Sequence, residues 1–211
     1  MIGKFSGIIW DWNGTLLDDA ELAVETMNGM LAKRSLPLMT MERYKDVFTF
    51  PVKDYYQKIG FDFEVEPFEI PALEFIERYN QLVGDCSLHS DSVMVLGKFR
   101  SDGIRQFILS AMKQETLDQC LDQYQISHFF DHVSGLDDHY AHSKLENGLA
   151  LIKELGLNPE ELLLIGDTIH DYEVATEMGC RCILIANGHQ SHELLNSTGV
   201  LVLSELKQLL D

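Results

Sequence analysis

Leu162-Leu163-Leu164-Ile165-Gly166-Asp167-Thr168-Ile169-His170-Asp171 is an apolar run of strand length that stops at a glycine and two acids spaced four apart. A short continuous apolar run bounded by turn residues reads as a strand buried on both faces. Asp171–Met178 then reads as a helix closed by Gly179, and Cys182–Ile185 as the next strand. Working back, Ser143–Leu155 has helical spacing and opens with Ser143 and, three residues on, Glu146, a capping box. Phe129–Ser134 is strand-like. Thr116–Tyr124 is helical, with Gln119 three residues past a Thr116 cap. Arg105–Leu109 is a strand ending at Ser110, and Gly7–Trp10 a short buried strand ending at Asp11. Strands alternating with helices predict an α/β fold, a Rossmann-like doubly wound parallel sheet with helices on both faces.

The texture changes between Asp18 and about Ser87. Leu22, Val24, Met27, Met30 and Leu31 follow helical spacing within Ala20–Lys33. Further helical segments lie around Met41–Phe48, Val52–Ile59 and Pro71–Val83, and strand-like alternation is scarce. The expected organisation is a core from 1–17 and 88–211 with a helical insert from 18–87.

Composition narrows the functional classes. The 211 residues carry 16 Lys+Arg against 34 Asp+Glu, a formal charge of -18, and are 45% hydrophobic. That is enough apolar content for a real core. The acidity argues against nucleic acid and against anionic membrane surfaces. No apolar run approaches the roughly 20 residues that span a bilayer. Met1 to Trp10 lacks the long apolar region of a secretory signal. Cys86, Cys120, Cys180 and Cys182 match no disulfide framework or zinc spacing, so a cytoplasmic setting is expected.

In a doubly wound sheet, ligands bind beyond the carboxyl ends of the strands. Three predicted strands end there in chemically useful residues: Asp11-Trp12-Asn13-Gly14-Thr15, Ser110, and Gly166-Asp167 with Asp171 beyond. Lys144 stands in the first turn of its helix. A carboxylate at a strand end can act as a nucleophile. Converging carboxylates repel unless a cation sits among them, and hard oxygen donors suit magnesium. A lysine at a helix N-terminus opposes the helix dipole, which makes sense if an anion docks there. Serine and free backbone N–H groups can hold phosphate oxygens. Each piece alone has a plainer reading: Asn13-Gly14 as a turn, Ser110 as a loop residue, Lys144 as solvated, Asp167 and Asp171 as an acidic helix start. Their joint placement at strand ends points to phosphoryl transfer.

Together these motifs make the chain resemble the haloacid dehalogenase superfamily, close to its phosphoglycolate-phosphatase-like branch. Asp11, Gly14, Thr15 and Leu16 match its Asp-x-Asp-Gly-Thr-Leu motif. Phe107-Ile108-Leu109-Ser110 matches the second motif, Lys144 the third, and Gly166, Asp167 and Asp171 the fourth. The resemblance implies that Asp11 attacks phosphorus to form an aspartyl-phosphate. It implies a magnesium ion (Mg2+) held by Asp11, the backbone carbonyl of Asn13 and Asp167, with Asp171 either ligating it or bonding a metal-bound water. Ser110, the N–H of Ala111 and Lys144 would hold the phosphoryl oxygens of a small phosphorylated metabolite, and the insert would cap the site.

One position departs from the pattern. Family phosphatases carry a second Asp two residues after the nucleophile, which protonates the leaving group; here it is Asn13. An amide cannot supply that proton, and general acid–base help is worth about 10²–10⁴-fold. The expected function is a magnesium-dependent phosphatase, slow or suited to good leaving groups. The alternatives are a non-catalytic binder of phosphate ligands and a phosphonate C–P hydrolase. The last uses a cap lysine, and Lys33, Lys45, Lys53 and Lys58 are the lysines available. His170, between Asp167 and Asp171, is a candidate substitute acid or base, or simply a loop histidine. The pairs His139/His142 and His189/His192 have a three-residue spacing with no evident third metal ligand. Asn187-Gly188-His189 could border the mouth of the site.

Overall fold

A computed structural model describes residues 5–136 and 144–211. The strands of its main sheet are β1 (Gly7–Trp10), β4 (Arg105–Lys113), β5 (His132–Leu136), β6 (Leu162–Gly166), β7 (Arg181–Ile185) and β8 (Leu201–Leu203). They run in the order β5-β4-β1-β6-β7-β8, and each neighbouring pair is parallel. The α/β reading of the sequence holds. β1 and β6 lie at the centre and are buried along their whole length, as their unbroken apolar composition requires.

Alternate side chains of these strands feed two cores. Ile8, Trp10, Ile108, Leu163 and Ile165 pack on one face with α5 (Ser92–Ser101) and α6 (Gln114–Tyr124). Ile9, Phe107, Leu109, Leu162 and Leu164 pack on the other with α7 (Lys144–Leu155) and α8 (Ile169–Met178). This period-two division is what a sheet covered by helices on both faces demands.

The remaining helices are α1 (Ala20–Lys33), α2 (Met41–Val47), α3 (Val52–Lys58), α4 (Glu69–Leu82) and, late in the chain, α9 (His192–Asn196). α1 to α4 gather around a separate aromatic cluster containing Met27, Met30, Leu31, Tyr44, Tyr55, Tyr56 and Phe61. The buried stripe of α1 is Ala20, Ala23, Met27, Met30 and Leu31; Leu22 and Val24 are only partly buried. Two short antiparallel strands, β2 (Leu17–Asp18) and β3 (Ser87–Leu88), carry the chain out to these helices and back.

Several boundaries differ from expectation. β4 does not stop at Leu109 but stays extended through Lys113, with a register shift against β5 between Leu109 and Lys113. α6 therefore starts at Gln114, and Thr116 lies inside it rather than capping it. The Gln114 side chain instead ties the helix start to β5, accepting from Gly135 N at 2.6 Å. β5 begins at His132, because Ser127–Phe129 forms a 3₁₀ turn. α8 begins at Ile169, with Thr168 as its cap and Asp171 completing a capping box; Gly179 closes it at φ 76°. The predicted Ser143 cap and the His139/His142 pair lie outside the described residues.

Candidate active site

The carboxyl ends of β1 and β6 place Asp11 and Asp167 side by side, and Asp11 N–H donates to Ile165 O at 2.8 Å. Asp171, one turn into α8, faces them. One oxygen from each of Asp11, Asp167 and Asp171 lies within 4.8 Å of the other two, and all three side chains are buried. No other such group of metal-ligating side chains occurs among the described residues.

Lys144, at the start of α7, is buried and joins two of these acids. Its Nζ donates to Asp11 Oδ1 and, at 2.6 Å, to Asp171 Oδ1. The second oxygen of Asp171 accepts from Thr168 Oγ1 at 2.6 Å and from the N–H groups of Thr168 and Asp167 at 3.0 and 3.2 Å. Lys144 and these donors overcome burial and hold Asp171 below the usual carboxylate range. Asp11 behaves differently. Burial, with Asp171 nearby, pushes it up to about 6 despite Lys144. Burial and its two acidic neighbours push Asp167 to about 8, against the opposing pull of His189. The Lys144 ammonium is driven above its ordinary value by the two carboxylates, against desolvation. Thr15 Oγ1 lies 3.1 Å from Asp11 Oδ2 and 3.2 Å from Asp167 Oδ1, and its single proton serves one of them at a time. Lys144 bonds only two of the three buried acids and leaves Asp167 without an ammonium, so the cluster is short of positive charge. Hard oxygen donors in that state fit a magnesium ion.

The loop after β1 approaches this floor very closely. Gly14 has φ 73°, and a Cβ there would lie 2.2 Å from Asp167 Oδ2; a Cβ on Gly188 would lie 2.1 Å from the same atom. Both positions need glycine for space, and Gly14 also for its backbone.

Ser110 is fully buried within β4, and its Oγ accepts from Met112 N at 3.0 Å, leaving its own proton to donate. Ala111, Met112 and Lys113 line the cavity from this strand.

Asn13 also lines the cavity. Its Nδ2 donates to Tyr79 Oη at 2.7 Å and to Asp19 Oδ2 at 3.1 Å. Asp19 is the site residue that the sequence did not disclose. It is 2% exposed and accepts from Tyr79 Oη at 2.5 Å and from Gly14 N at 2.7 Å. His189 Nε2 stands 3.3 Å from its other side. His189 is itself buried; its Nδ1 lies 2.9 Å from Tyr44 Oη and its backbone N–H donates to Asp167 Oδ2 at 2.6 Å. Although burial opposes the charged form, Asp19 and Asp167 raise the His189 imidazole to about 9. His189 and its hydrogen-bond donors in turn outweigh desolvation and lower Asp19. The pair is a buried ion pair. Asp19 stands at the N-cap of α1 yet makes no capping bond. An acid before a helix reads as a cap, which concealed its role.

His170 is the second residue of α8. It lines the cavity, stacks on Phe50 with ring centroids 4.7 Å apart, and has Glu173 3.6 Å from its Nδ1. His189 does border the site, whereas His192 is exposed and bonded to Asn196. None of Lys33, Lys45, Lys53 and Lys58 lines the cavity.

The sequence profile of the haloacid dehalogenase-like hydrolases matches residues 8–185. The chain belongs to that family of enzymes. It is 25% identical over 192 residues to an N-acetylmuramic acid 6-phosphate phosphatase of Pseudomonas putida, covering 88% of this chain and 85% of that one. It is 23% identical over 215 residues to a phosphoglycolate phosphatase of Aliivibrio fischeri, covering 96% and 94%. In fold it is similar to a haloacid dehalogenase-like hydrolase of Streptococcus pneumoniae, with a TM-score of 0.83 at 18% identity and coverage of 100% and 98%. Among the described residues no helix is long and apolar enough to cross a membrane.

Proposed function

We propose that the chain is a magnesium-dependent phosphomonoesterase acting on a small phosphorylated metabolite through Asp11. The observation that carries this reading is the Lys144 ammonium set between Asp11 and Asp171, with Asp167 beside them, at the floor of a cavity. Asp11, the Asn13 carbonyl, Asp167 and Asp171 would hold the cation, which neutralises charge among acids and phosphate. Lys144 holds Asp11 in place and screens it from the incoming anion. An Asp11 oxygen forms a bond to phosphorus as the bond to the leaving oxygen breaks. Ser110, the Ala111 N–H and Lys144 stabilise the phosphoryl oxygens. Water then attacks the aspartyl-phosphate, releasing phosphate and restoring Asp11. Asn13 has no proton to give in the first step, so it does not assist the leaving group. Helices α1 to α4, within residues 18–87, act as a cap that excludes water and selects the leaving group. The cysteines, free among the described residues, suit a reducing compartment such as the cytoplasm.

The test is acid-quench trapping of phosphate on the protein with acetyl phosphate and Mg2+. Asp11→Asn abolishes the trapped phosphate. Turnover that survives in Asp11→Asn sinks the reading. Tight phosphate binding with no turnover, in protein checked by mass for Asn13 deamidation, indicates a binder instead.

A further inference from the structure

The cavity above Asp11 has a volume of about 320 Å³. That is near the lower end of small-molecule sites and leaves room for a phosphoryl group and about one ring. Its floor is charged, but its upper wall is not. Phe48, Phe50, Val52, Phe75 and Ile76 form that wall.

The cations that reach the cavity are already engaged. Lys144 is held by Asp11 and Asp171, His189 by Asp19, and Lys113 pairs with Glu115 at 2.8 Å, while His170 is stacked on Phe50 with Glu173 3.6 Å from its Nδ1. Two basic groups of the helical part, Lys33 and Arg34, point elsewhere, to Glu74 and Glu66. Among the described residues, the upper wall therefore offers no cation to a second anionic group on the substrate. A carboxylate or second phosphate placed against it would be desolvated without a partner.

Asn13 supplies an independent argument. An amide at this position gives no proton, which favours a leaving oxygen that can depart as an anion. A phenol loses its proton near about 10, whereas water, which an aliphatic alcohol resembles, does so near about 15.7. The floor thus favours an aryl oxide, and the aromatic wall suits the ring that carries it.

We propose that the substrate is an aryl phosphomonoester with an uncharged ring, seated against Phe48, Phe50 and Phe75. The proposal rests on the phosphatase reading above. The Asp11 oxygen bonds to phosphorus, the P–O(aryl) bond breaks, and its electron pair leaves on the phenolate, which takes a proton from solvent. Water then cleaves the aspartyl-phosphate.

Binding and turnover are measured separately, so that recognition is not confused with intrinsic reactivity. With Mg2+ present, phenylphosphonate should inhibit acetyl phosphate hydrolysis at least tenfold more tightly than phosphonoacetate, which carries a carboxymethyl group in place of the ring. The kcat/KM for phenyl phosphate should exceed that for 2-phosphoglycolate by at least a hundredfold. Ile76→Arg places a cation on the wall and should shift the inhibitor ratio toward phosphonoacetate by at least tenfold. Phe50→Ala, at an exposed position, should weaken phenylphosphonate more than phosphonoacetate. Acetyl phosphate is too small to reach the wall and reports on Asp11 chemistry alone. If it turns over while phosphonoacetate binds as tightly as phenylphosphonate, the aryl proposal is overturned and the phosphatase reading stands. If neither acetyl phosphate nor any ester turns over, the phosphatase reading fails and the proposal with it.

Discussion

The side-chain amide of Asn13 donates to Asp19 Oδ2 at 3.1 Å, so a cavity residue two positions after Asp11 is held by a buried carboxylate. An aspartate at position 13 would face Asp19 as a like charge. Its carboxyl would also lose the two donations that Asn13 makes to Asp19 and Tyr79.

Two effects of Asn13→Asp follow. The repulsion raises the pKa of the new acid and keeps it protonated, which is what a general acid needs. Turnover of alkyl phosphates should rise by about 10²–10⁴-fold, with a smaller gain for phenyl phosphate. The fold should lose about 1–3 kcal/mol at pH 8, and less at pH 5, where one carboxyl is neutral. Parallel kinetics and urea melts check both.

The Asp19–His189 pair makes a stability prediction. Asp19→Ala leaves a buried imidazolium without its partner, and breaking a buried pair from one side costs about 3–5 kcal/mol. Tyr79→Phe removes two hydrogen bonds, the one given to Asp19 and the one accepted from Asn13, and should cost about 1–3 kcal/mol. Chemical denaturation of the two variants orders them; equal losses would show that the pair is not the stronger element.

Metal binding should depend on pH with a definite sign. Asp11 and Asp167 titrate at about 6 and about 8 in the folded protein, above the ordinary value of 3.8. Between about pH 4 and 8, the metal-free fold therefore binds more protons than the unfolded chain. The contribution of these two acids to stability falls as pH rises through that window. A cation needs them ionised, so protons compete with it. The rise in thermal midpoint given by Mg2+ should be small at pH 5, grow through pH 6–8, and vanish in excess EDTA. A rise independent of pH would place the ion elsewhere.

Lys144→Ala removes the one ammonium among three buried acids. The metal-free variant should lose about 3–5 kcal/mol at pH 8, and less at pH 5, where the acids take up protons. Mg2+ should restore part of that loss. Acetyl phosphate turnover should fall by at least about 10²–10³-fold.

The sequence disclosed the parts of this molecule that are written locally. β1 and β6 are unbroken apolar runs, and Gly179 closes α8 where a left-handed residue is required. Asp11, Lys144, Asp167 and Asp171 sit at strand and helix ends that a parallel sheet must bring together. The far end of β4 was illegible because Ser110 interrupts the apolar run, while the chain remains extended past it along the cavity wall. Asp19 and Tyr79 were illegible for another reason: they meet across 60 positions of sequence, and each imitates something ordinary, a helix cap and a helix aromatic. His189 was read as bordering the site, but its bond to Asp19, 170 positions away, was not written locally.

The short pair β2–β3 puts both strands of the link to α1–α4 next to each other, and Asp19 follows β2 directly. A second link lies across the cavity, where Ser191 N–H donates to Lys45 O at 3.0 Å and Gln190 Nε2 to Phe48 O at 2.8 Å. The helical part is thus fastened at β2–β3 and, through the one loop 189–191, to Asp19 by an ion pair and to the carbonyls of Lys45 and Phe48. Swinging it clear of the sheet cannot be a free rotation about β2–β3. It must part that loop from Asp19, Lys45 and Phe48, so the ease of entry and exit is set by contacts that never touch the phosphoryl group.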